Sequence, residues 1–367
     1  MQIDSILDCL LVLGEGERFY RFSNADGKTW IMPVRNMQVA MNLYQPSGRK
    51  GKLVKVLFPW LHNIPFVRRV IYAEKLYCGL SDELEQLLRR LFQEEKIEFA
   101  IFGGTPCVHQ KMTIQVSKGA HILGYCKVTG NDEVAALFRS EANLLEYWEK
   151  QGLERVPRCF YCGKITENLS LFVQSTVKTQ RSKVPHEWSR LHEHFLNELQ
   201  RKTVRKIAFE DSDYYKALQE LQSHLDWLPV FMNRGVIEKT INKIIHSHKG
   251  VFVDFSAYHA DFTPWNMFVE KGRLFVFDWE YACMTYPPML DRYHFFTQIA
   301  IFEKHWQGKE IIAFLQSPDA NWVNTESYTL YLLDIISRFT VREKGGVIGD
   351  MSRSMKIWND VLVYLSK

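Results

Sequence analysis

The alternation of hydrophobic and polar residues predicts strands in the first half of the chain. Residues 97–128 contain three short runs with strand periodicity, separated by glycine-bearing turns. Residues 132–151 then repeat apolar side chains every three or four positions, which predicts a long helix. Two further strands are predicted at 157–162 and 168–173. The pattern thus favours a small sheet accompanied by one long helix.

Helical periodicity dominates the second half. Helices are predicted at 186–202, 214–225, 236–248, 306–315, 327–342 and 350–366. Apolar runs at 267–269 and 274–277 flank a Lys271-Gly272 turn, so they predict a short hairpin. An α+β chain with separate strand-rich and helical parts is expected.

The first 93 residues differ in character from the rest of the chain. Short apolar and aromatic runs around an Asn24–Gly27 turn predict a small hairpin unit. A helix begins after Ser81, which is a plausible N-cap, and continues through Phe92. We therefore predict three parts: an accessory unit at 1–93, a strand-rich unit at 94–177 and a helical unit at 178–367.

One stretch of this accessory unit, residues 48–75, is both basic and apolar. An amphipathic element that contacts an anionic membrane or partner is one interpretation. The other is a solvated basic face on a helix packed against the rest of the protein. The second is favoured because Pro59 and Pro65 are expected to break any long helix.

Composition narrows the class of protein. The 367 residues are 46% hydrophobic and 24% charged, which is typical of a globular protein with a substantial core. The formal charge of +4 is small for this length and does not favour nucleic acid as a partner. Seven scattered cysteines, no basic leader and no membrane-length apolar run lead us to expect a cytoplasmic protein with reduced thiols.

Candidate chemistry is concentrated at 258–280. His259, Asp261 and Asn266 form a His-x-Asp-x-x-x-x-Asn string, and the predicted hairpin then leads to Asp278 and Glu280. Transfer of a phosphoryl group to a hydroxyl needs a carboxylate that accepts the hydroxyl proton. It also needs an amide and a second carboxylate that hold Mg²⁺ on the nucleotide phosphates. The order of these groups favours that reaction.

This stretch resembles the catalytic loop of the protein-kinase-like superfamily, in particular its aminoglycoside phosphotransferase and choline kinase branch. The resemblance covers residues 94 to about 300 and implies a bilobal fold with a small antiparallel β lobe and a helical lobe, to which residues 1–93 would be an addition. It implies that Asp261 is the catalytic base, that Asn266 and Asp278 bind Mg²⁺, and that ATP is the donor.

The resemblance also implies a nucleotide site in the strand-rich part. Lys127, on the third predicted strand, would pair with the phosphates, and Glu141, on the following helix, would hold the lysine. The turn after the first predicted strand, which would cover the phosphates, departs from the glycine-rich pattern of the family because it holds only the adjacent pair Gly103-Gly104. Other nucleotide contacts are expected at Gly103 and Gly104 over the phosphates, and at Gln174 and Thr176 beside the adenine.

The sequence leaves several classes of acceptor molecule open. A small molecule or glycan with an alcohol group is expected, and a sugar or surface-glycan component is favoured. A choline or ethanolamine kinase is the alternative, in which Tyr286, Tyr293 and Trp306 would surround a quaternary ammonium group. A pseudokinase scaffold, which binds nucleotide without turnover, is an alternative of another class.

Overall fold

The computed structural model describes residues 3–46, 48–107 and 109–367. Within these ranges the helices are α1 (Ile3–Leu10), α2 (Met37–Ala40), α3 (Arg49–Leu61), α4 (Pro65–Val70), α5 (Asp82–Phe92), α6 (Asp132–Lys150), α7 (Arg190–Thr203), α8 (Asp213–Ser223), α9 (Arg234–His248), α10 (Leu290–Gln298), α11 (Gly308–Leu315), α12 (Thr325–Glu343) and α13 (Gly349–Leu365). The strands are β1 (Leu11–Ser23), β2 (Thr29–Pro33), β3 (Glu74–Leu80), β4 (Glu98–Phe102), β5 (Met112–Lys118), β6 (His121–Thr129), β7 (Cys159–Thr166), β8 (Leu169–Ser175), β9 (Arg205–Ala208), β10 (Phe252–Tyr258), β11 (Met267–Glu270), β12 (Arg273–Val276) and β13 (Cys283–Tyr286).

The chain divides into two compact units. The first contains residues 1–183 and 269–280, and the second contains residues 184–268 and 281–367. The prediction of one unit with an antiparallel sheet and one helical unit is confirmed.

An eight-stranded antiparallel sheet, in the order β3-β1-β2-β4-β5-β6-β8-β7, forms the first unit among the described residues. Burial alternates along the first part of β6, whereas β2 and β8 are buried along almost their whole length, as strands covered on both faces are. Helices α1 and α5 add Leu10, Leu84 and Leu88 to the core on the sheet. This packing fixes the strand that carries Lys127.

Residues 1–93 differ from the predicted accessory unit. Their strands β1, β2 and β3 belong to the same sheet as β4 to β8, and they lie in the same compact unit. The junction is the pairing of β2 with β4, where Trp30 lies opposite Phe102 and their rings stack at 5.3 Å. The backbone hydrogen-bonding edge of β4 is thereby covered, which explains why the two parts are continuous.

Helix α3 also differs from expectation, because it continues through Pro59 to Leu61. Proline removes one backbone donor and disfavours a helix interior, but only two residues follow it here. Pro65 occupies the first turn of α4, where proline is readily accepted. The prolines therefore do not exclude an amphipathic element at 48–75.

The second unit is built mainly from helices around one aromatic-rich core. Helix α8 packs on α12, and the Tyr214 hydroxyl donates a hydrogen bond of 3.0 Å to the Leu330 carbonyl. The unit also contains a small sheet of β13, β10 and β9. Strand β10 leads directly to His259 and Asp261.

The predicted boundary at 178 also differs from the observed division. Residues 269–280 belong to the first unit although they follow the string from His259 to Asn266. Val269 forms a two-way backbone bridge with Lys183, and the Val276 N–H donates to the Arg155 carbonyl at 3.0 Å. These hydrogen bonds attach the hairpin to the first unit. Across the described residues, no helix has the length and apolar character that crossing a membrane requires.

The sheet junction predicts that residues 1–183 unfold together. Replacing the buried Trp30 by alanine (W30A) removes its contacts with Phe22, Tyr44 and Phe102, so we expect a loss of about 3–5 kcal/mol in the free energy of unfolding. Hydrogen exchange in β1, β2, β4 and β5 should accelerate together. Trp60, which is 71% exposed, is the control, and W60A should cost about 0.5 kcal/mol or less. Separate unfolding of β1–β3 alone would contradict a single sheet.

A buried histidine in α7 predicts an acid-sensitive second unit. His192 is fully buried, and its Nδ1 accepts a hydrogen bond of 3.1 Å from the Ser189 N–H. Burial lowers the pKa of His192 to about 4. Between pH 6.5 and 4 the unfolded histidine binds a proton that the folded one does not, so stability falls as the pH falls, by about 3 kcal/mol at most.

Denaturant unfolding measured from pH 7.5 to 4 checks this dependence. H192Q should flatten the slope below pH 6.5, whereas H194Q, at an exposed position of the same helix, should leave it unchanged. Equal slopes in the wild type and H192Q would show that His192 does not cause the dependence.

Candidate functional site

One face of α6 places a carboxylate in an apolar stripe. Val134, Phe138, Leu145 and Trp148 are buried on that face, and Glu141 lies in the middle of the stripe with no exposed surface. A buried carboxylate is costly unless a cation or hydrogen-bond donors compensate it. The helix therefore requires a partner for Glu141.

Lys127 on β6 supplies the cation. Its Nζ lies 2.5 Å from Glu141 Oε2 and 2.5 Å from Asp278 Oδ1, and the side chain is 7% exposed. Burial lowers the pKa of Lys127, but the carboxylates of Asp278 and Glu141 outweigh burial and raise it. The first unit thus brings together three residues that the sequence singled out: a lysine, a helix glutamate and an aspartate after the hairpin.

Asp278 reaches this position through a strained turn. Its φ is +67°, a conformation that non-glycine residues rarely adopt and that often marks functional sites. The next residue, Trp279, donates its backbone N–H to Glu141 Oε1 at 3.1 Å, and its ring packs on Trp148 at 5.4 Å. Both Glu141 oxygens are therefore engaged, one by Lys127 and one by Trp279.

A second lysine, which sequence reasoning missed, joins the cluster. Lys111 at the end of the β4–β5 loop forms an ion pair with Glu280, and its Nζ lies 3.4 Å from Asp278 Oδ1. Burial lowers the pKa of Lys111, but Asp278 and Glu280 together raise it well above its usual value. The cluster therefore holds two ammonium groups against three carboxylates.

The three carboxylates lie close enough together to share a metal ion. One oxygen from each of Glu141, Asp278 and Glu280 lies within 4.8 Å of the others, and oxygen ligands suit Mg²⁺. Glu141 is occupied by protein donors, whereas Asp278 is 22% exposed at its side chain. Asp278, with Glu280 beside it, is therefore the residue best placed to bind a metal in this unit.

The glycine pair is explained by internal packing. A Cβ on Gly104, whose φ is +81°, would lie 2.2 Å from the Lys111 carbonyl oxygen, and one on Gly103 would lie 2.3 Å from the Ile3 side chain. Gln110 also donates to the Gly103 carbonyl at 2.8 Å. These glycines let the loop fold back on itself, so that Lys111 reaches the carboxylates. Contact of Gly103 and Gly104 with phosphate stays a prediction.

The predicted adenine contacts lie at the end of β8. Gln174 is 4% exposed, and its Oε1 has no hydrogen-bond partner within the described ranges. Thr176 follows the strand, and its hydroxyl accepts a hydrogen bond of 3.2 Å from the Lys178 N–H. Contact of these residues with a nucleotide stays a prediction.

In the second unit, Asp261 lies in a network of hydrogen-bond donors. The Asn266 amide donates to Asp261 Oδ2 at 2.7 Å, and His294 Nε2 lies 3.2 Å from Oδ1. Burial lowers the pKa of His294, so its imidazole is neutral near pH 7. The Tyr331 hydroxyl lies 3.2 Å from His294 Nδ1. A donating tyrosine would leave the His294 Nε2–H directed at Asp261, which orients its carboxylate.

The backbone beside Asp261 is held from two directions. The Asp291 carboxylate accepts the N–H groups of His259 and Ala260 at 2.9 and 3.1 Å, and the Arg338 guanidinium donates to the Ala260 carbonyl. Ala260 has a φ of +69°, so the loop keeps a strained turn at this point. Burial raises the pKa of Asp291 to about 7 against the opposing effect of the two N–H donors.

We compared the sequence and the structure with those of known proteins. No family model matches the sequence, and no curated protein matches it. Among solved structures, choline kinase LicA from Streptococcus pneumoniae is 16% identical with a TM-score of 0.46, covering 77% of this chain and 100% of that one. An apo form of a thermostable mutant of aminoglycoside phosphotransferase APH(4)-Ia is 12% identical with a TM-score of 0.48, covering 76% and 98%.

The contacts of Arg338 with Asp334 and Ala260 predict that substitutions at positions 334 and 338 have coupled effects on stability. Arg338 also lies 3.3 Å from Asp334, which is 2% exposed at its side chain. R338M would leave a buried carboxylate without its cation and should cost about 3–5 kcal/mol in unfolding free energy. D334N/R338M should cost less than R338M alone, because the uncompensated charge is gone.

Arg342 lies one turn later on α12 and pairs with Glu343 at the surface. R342M should therefore cost about 1 kcal/mol or less. Chemical denaturation of all four proteins measures the effect. Similar losses for R338M and R342M would mean that Arg338 does not hold the loop.

Proposed function

We propose that this protein is an ATP- and Mg²⁺-dependent phosphotransferase that transfers the γ-phosphoryl group to an alcohol group of a small molecule. The observation that carries the proposal is the buried Lys127 held between Glu141 and Asp278. A buried cation next to a partly exposed carboxylate is suited to bind phosphates and their metal ion.

In this proposal the first unit binds the nucleotide. Lys127 pairs with phosphate oxygens while Glu141 keeps its ammonium group in place. Lys111 adds a second positive charge beside Asp278. Asp278 and Glu280 offer carboxylate oxygens to Mg²⁺, which when bound neutralises charge on the phosphates. Asn266, predicted to be a metal ligand, lies in the second unit and donates to Asp261.

The second unit supplies the base. The acceptor hydroxyl gives its proton to the Asp261 carboxylate as its oxygen bonds to the γ-phosphorus. The bond between that phosphorus and the β,γ-bridging oxygen then breaks, and ADP leaves. Asn266 and His294 orient the carboxylate, while Asp291 and Arg338 fix the loop that carries it. Orientation of this kind lowers the cost of reaching the transition state.

A sugar or surface-glycan hydroxyl is our preferred acceptor. The alternative, a quaternary ammonium alcohol such as choline, would need exposed aromatic rings. Tyr286 and Tyr293 are both 5% exposed: Tyr286 stacks on Tyr258 at 4.9 Å, and Tyr293 stacks on Tyr328 at 5.2 Å. Because these rings are part of the core, two of the three residues predicted for an ammonium site are not available.

Two substitutions test the proposed roles. D261N should keep the rise in melting temperature that ATP and Mg²⁺ produce, but should reduce phosphoryl transfer by about 100- to 10,000-fold. K127M should lose the nucleotide-dependent rise as well. Thermal melting measures binding, and ADP release with a panel of sugars, choline and aminoglycosides measures turnover.

The controls lie on the same strands or beside them. D254N, at an exposed position of β10, and K118M, on β5 with 57% side-chain exposure, should leave both measurements unchanged. A wild-type protein that ATP and Mg²⁺ do not stabilise would refute the proposal. Stabilisation without turnover on any acceptor, including water, would favour the pseudokinase alternative.

A further inference from the structure

Helix α3 exposes an apolar face. Leu53, Val56, Leu57 and Trp60 recur at helical spacing and are 60%, 64%, 42% and 71% exposed. With about 100° of rotation per residue, these four side chains occupy a single stripe roughly 100° wide. An amphipathic helix of a globular protein normally buries such a stripe.

The apolar surface continues beyond α3. Ile64, Phe66, Val70 and Tyr72 are 47%, 74%, 60% and 82% exposed. We call these residues and the four on α3 the 53–72 patch. It holds eight large hydrophobic side chains within twenty positions, whereas singly exposed hydrophobic residues are ordinary.

The opposite side of this element is firmly packed. Phe58 is 1% exposed and contacts the rings of Tyr20 and Phe22. Arg68 donates to the carbonyls of His62 and Asn63 at 3.0 and 2.7 Å, which ties the corner between α3 and α4. The patch is therefore a surface held outward by a packed core.

Within the segment that carries the patch, all charged residues are basic. The sequence contains no aspartate or glutamate between Asp26 and Glu74. Lys50 and Lys52 are exposed, and the helical rotation places one at each edge of the apolar stripe. Arg69 is exposed on α4. An apolar stripe bordered by cations is the arrangement of helices that lie in a membrane interface.

We propose that the 53–72 patch docks on an anionic lipid bilayer. Trp60 and Tyr72 would enter the boundary between headgroups and acyl chains, where their amphipathic rings are favoured, and Phe66 would insert its apolar ring beside them. The basic residues would contact lipid phosphates. A protein partner is less suitable because lysine is depleted in protein interfaces. This inference does not depend on the proposed enzymatic function.

Sedimentation of the full chain with vesicles tests the proposal. Vesicles of equal parts phosphatidylglycerol and phosphatidylcholine should bind the protein at low salt, and pure phosphatidylcholine vesicles should bind it much less. K50Q/K52Q should weaken binding by about 25-fold, since each basic residue near the surface contributes about fivefold. W60S/F66S should weaken binding at least as much. High salt should reduce the electrostatic part.

Matched variants lie outside the patch. V230S/F252S removes two hydrophobic side chains that are 97% and 63% exposed, and K239Q/K243Q removes two exposed lysines of α9. Both should bind the vesicles as the wild type does. Melting temperatures of all variants should stay close to the wild-type value, because the substituted residues are exposed.

Three results would overturn the proposal. The wild type could stay in solution with the anionic vesicles, or the patch variants could bind as well as the control variants. The third is a dimer of the wild type, detected by light scattering without lipid, that W60S/F66S dissociates. That result would show that the patch is an interface between two copies.

Discussion

The structure of the first unit depends on compensating a buried charge. Glu141 is fully buried in the apolar face of α6, and its contacts with Lys127 and the Trp279 N–H offset the cost of that burial. These contacts fix β6 against α6 and pull the hairpin that carries Asp278 onto the same unit. The position of Lys127 between Glu141 and Asp278 therefore stabilises the fold. The proposed phosphate site uses the same position, so Lys127 need not move relative to α6.

The second unit orients a carboxylate by a different means. The Asp261 loop contains a residue in the left-handed region, and such a turn persists only when its surroundings determine it. Asp291 binds the two N–H groups on one side of Ala260, and Arg338 binds the carbonyl on the other. Side chains from α10 and α12 therefore fix the turn at Ala260, while Asn266 within the loop holds the Asp261 carboxylate.

Sequence patterns could predict some of these features but not others. The helix of Glu141 and the strand of Lys127 follow from local periodicity, and a glutamate within an apolar stripe signals a buried partner. Lys111, Arg338 and the pairing of β2 with β4 depend on contacts between residues far apart in sequence, for which a single sequence contains no local pattern. The prediction at Pro59 was wrong because proline was expected to break the helix. Near the C-terminus of a helix, proline removes only one backbone hydrogen bond and is tolerated.

The 53–72 patch bears on which acceptor the proposed enzyme would use. Exposing tryptophan, phenylalanine and tyrosine side chains to water is unfavourable. Their exposure in this patch therefore favours a protein that binds to another surface, such as a membrane. A soluble alcohol would need no such surface, whereas a hydroxyl on a lipid-linked glycan is available only at a membrane. Docking through Trp60 and Phe66 would raise the local concentration of that acceptor without any change in the chemistry at Asp261. The two proposals are independent; if both hold, an acceptor attached to a membrane is favoured over a freely diffusing alcohol.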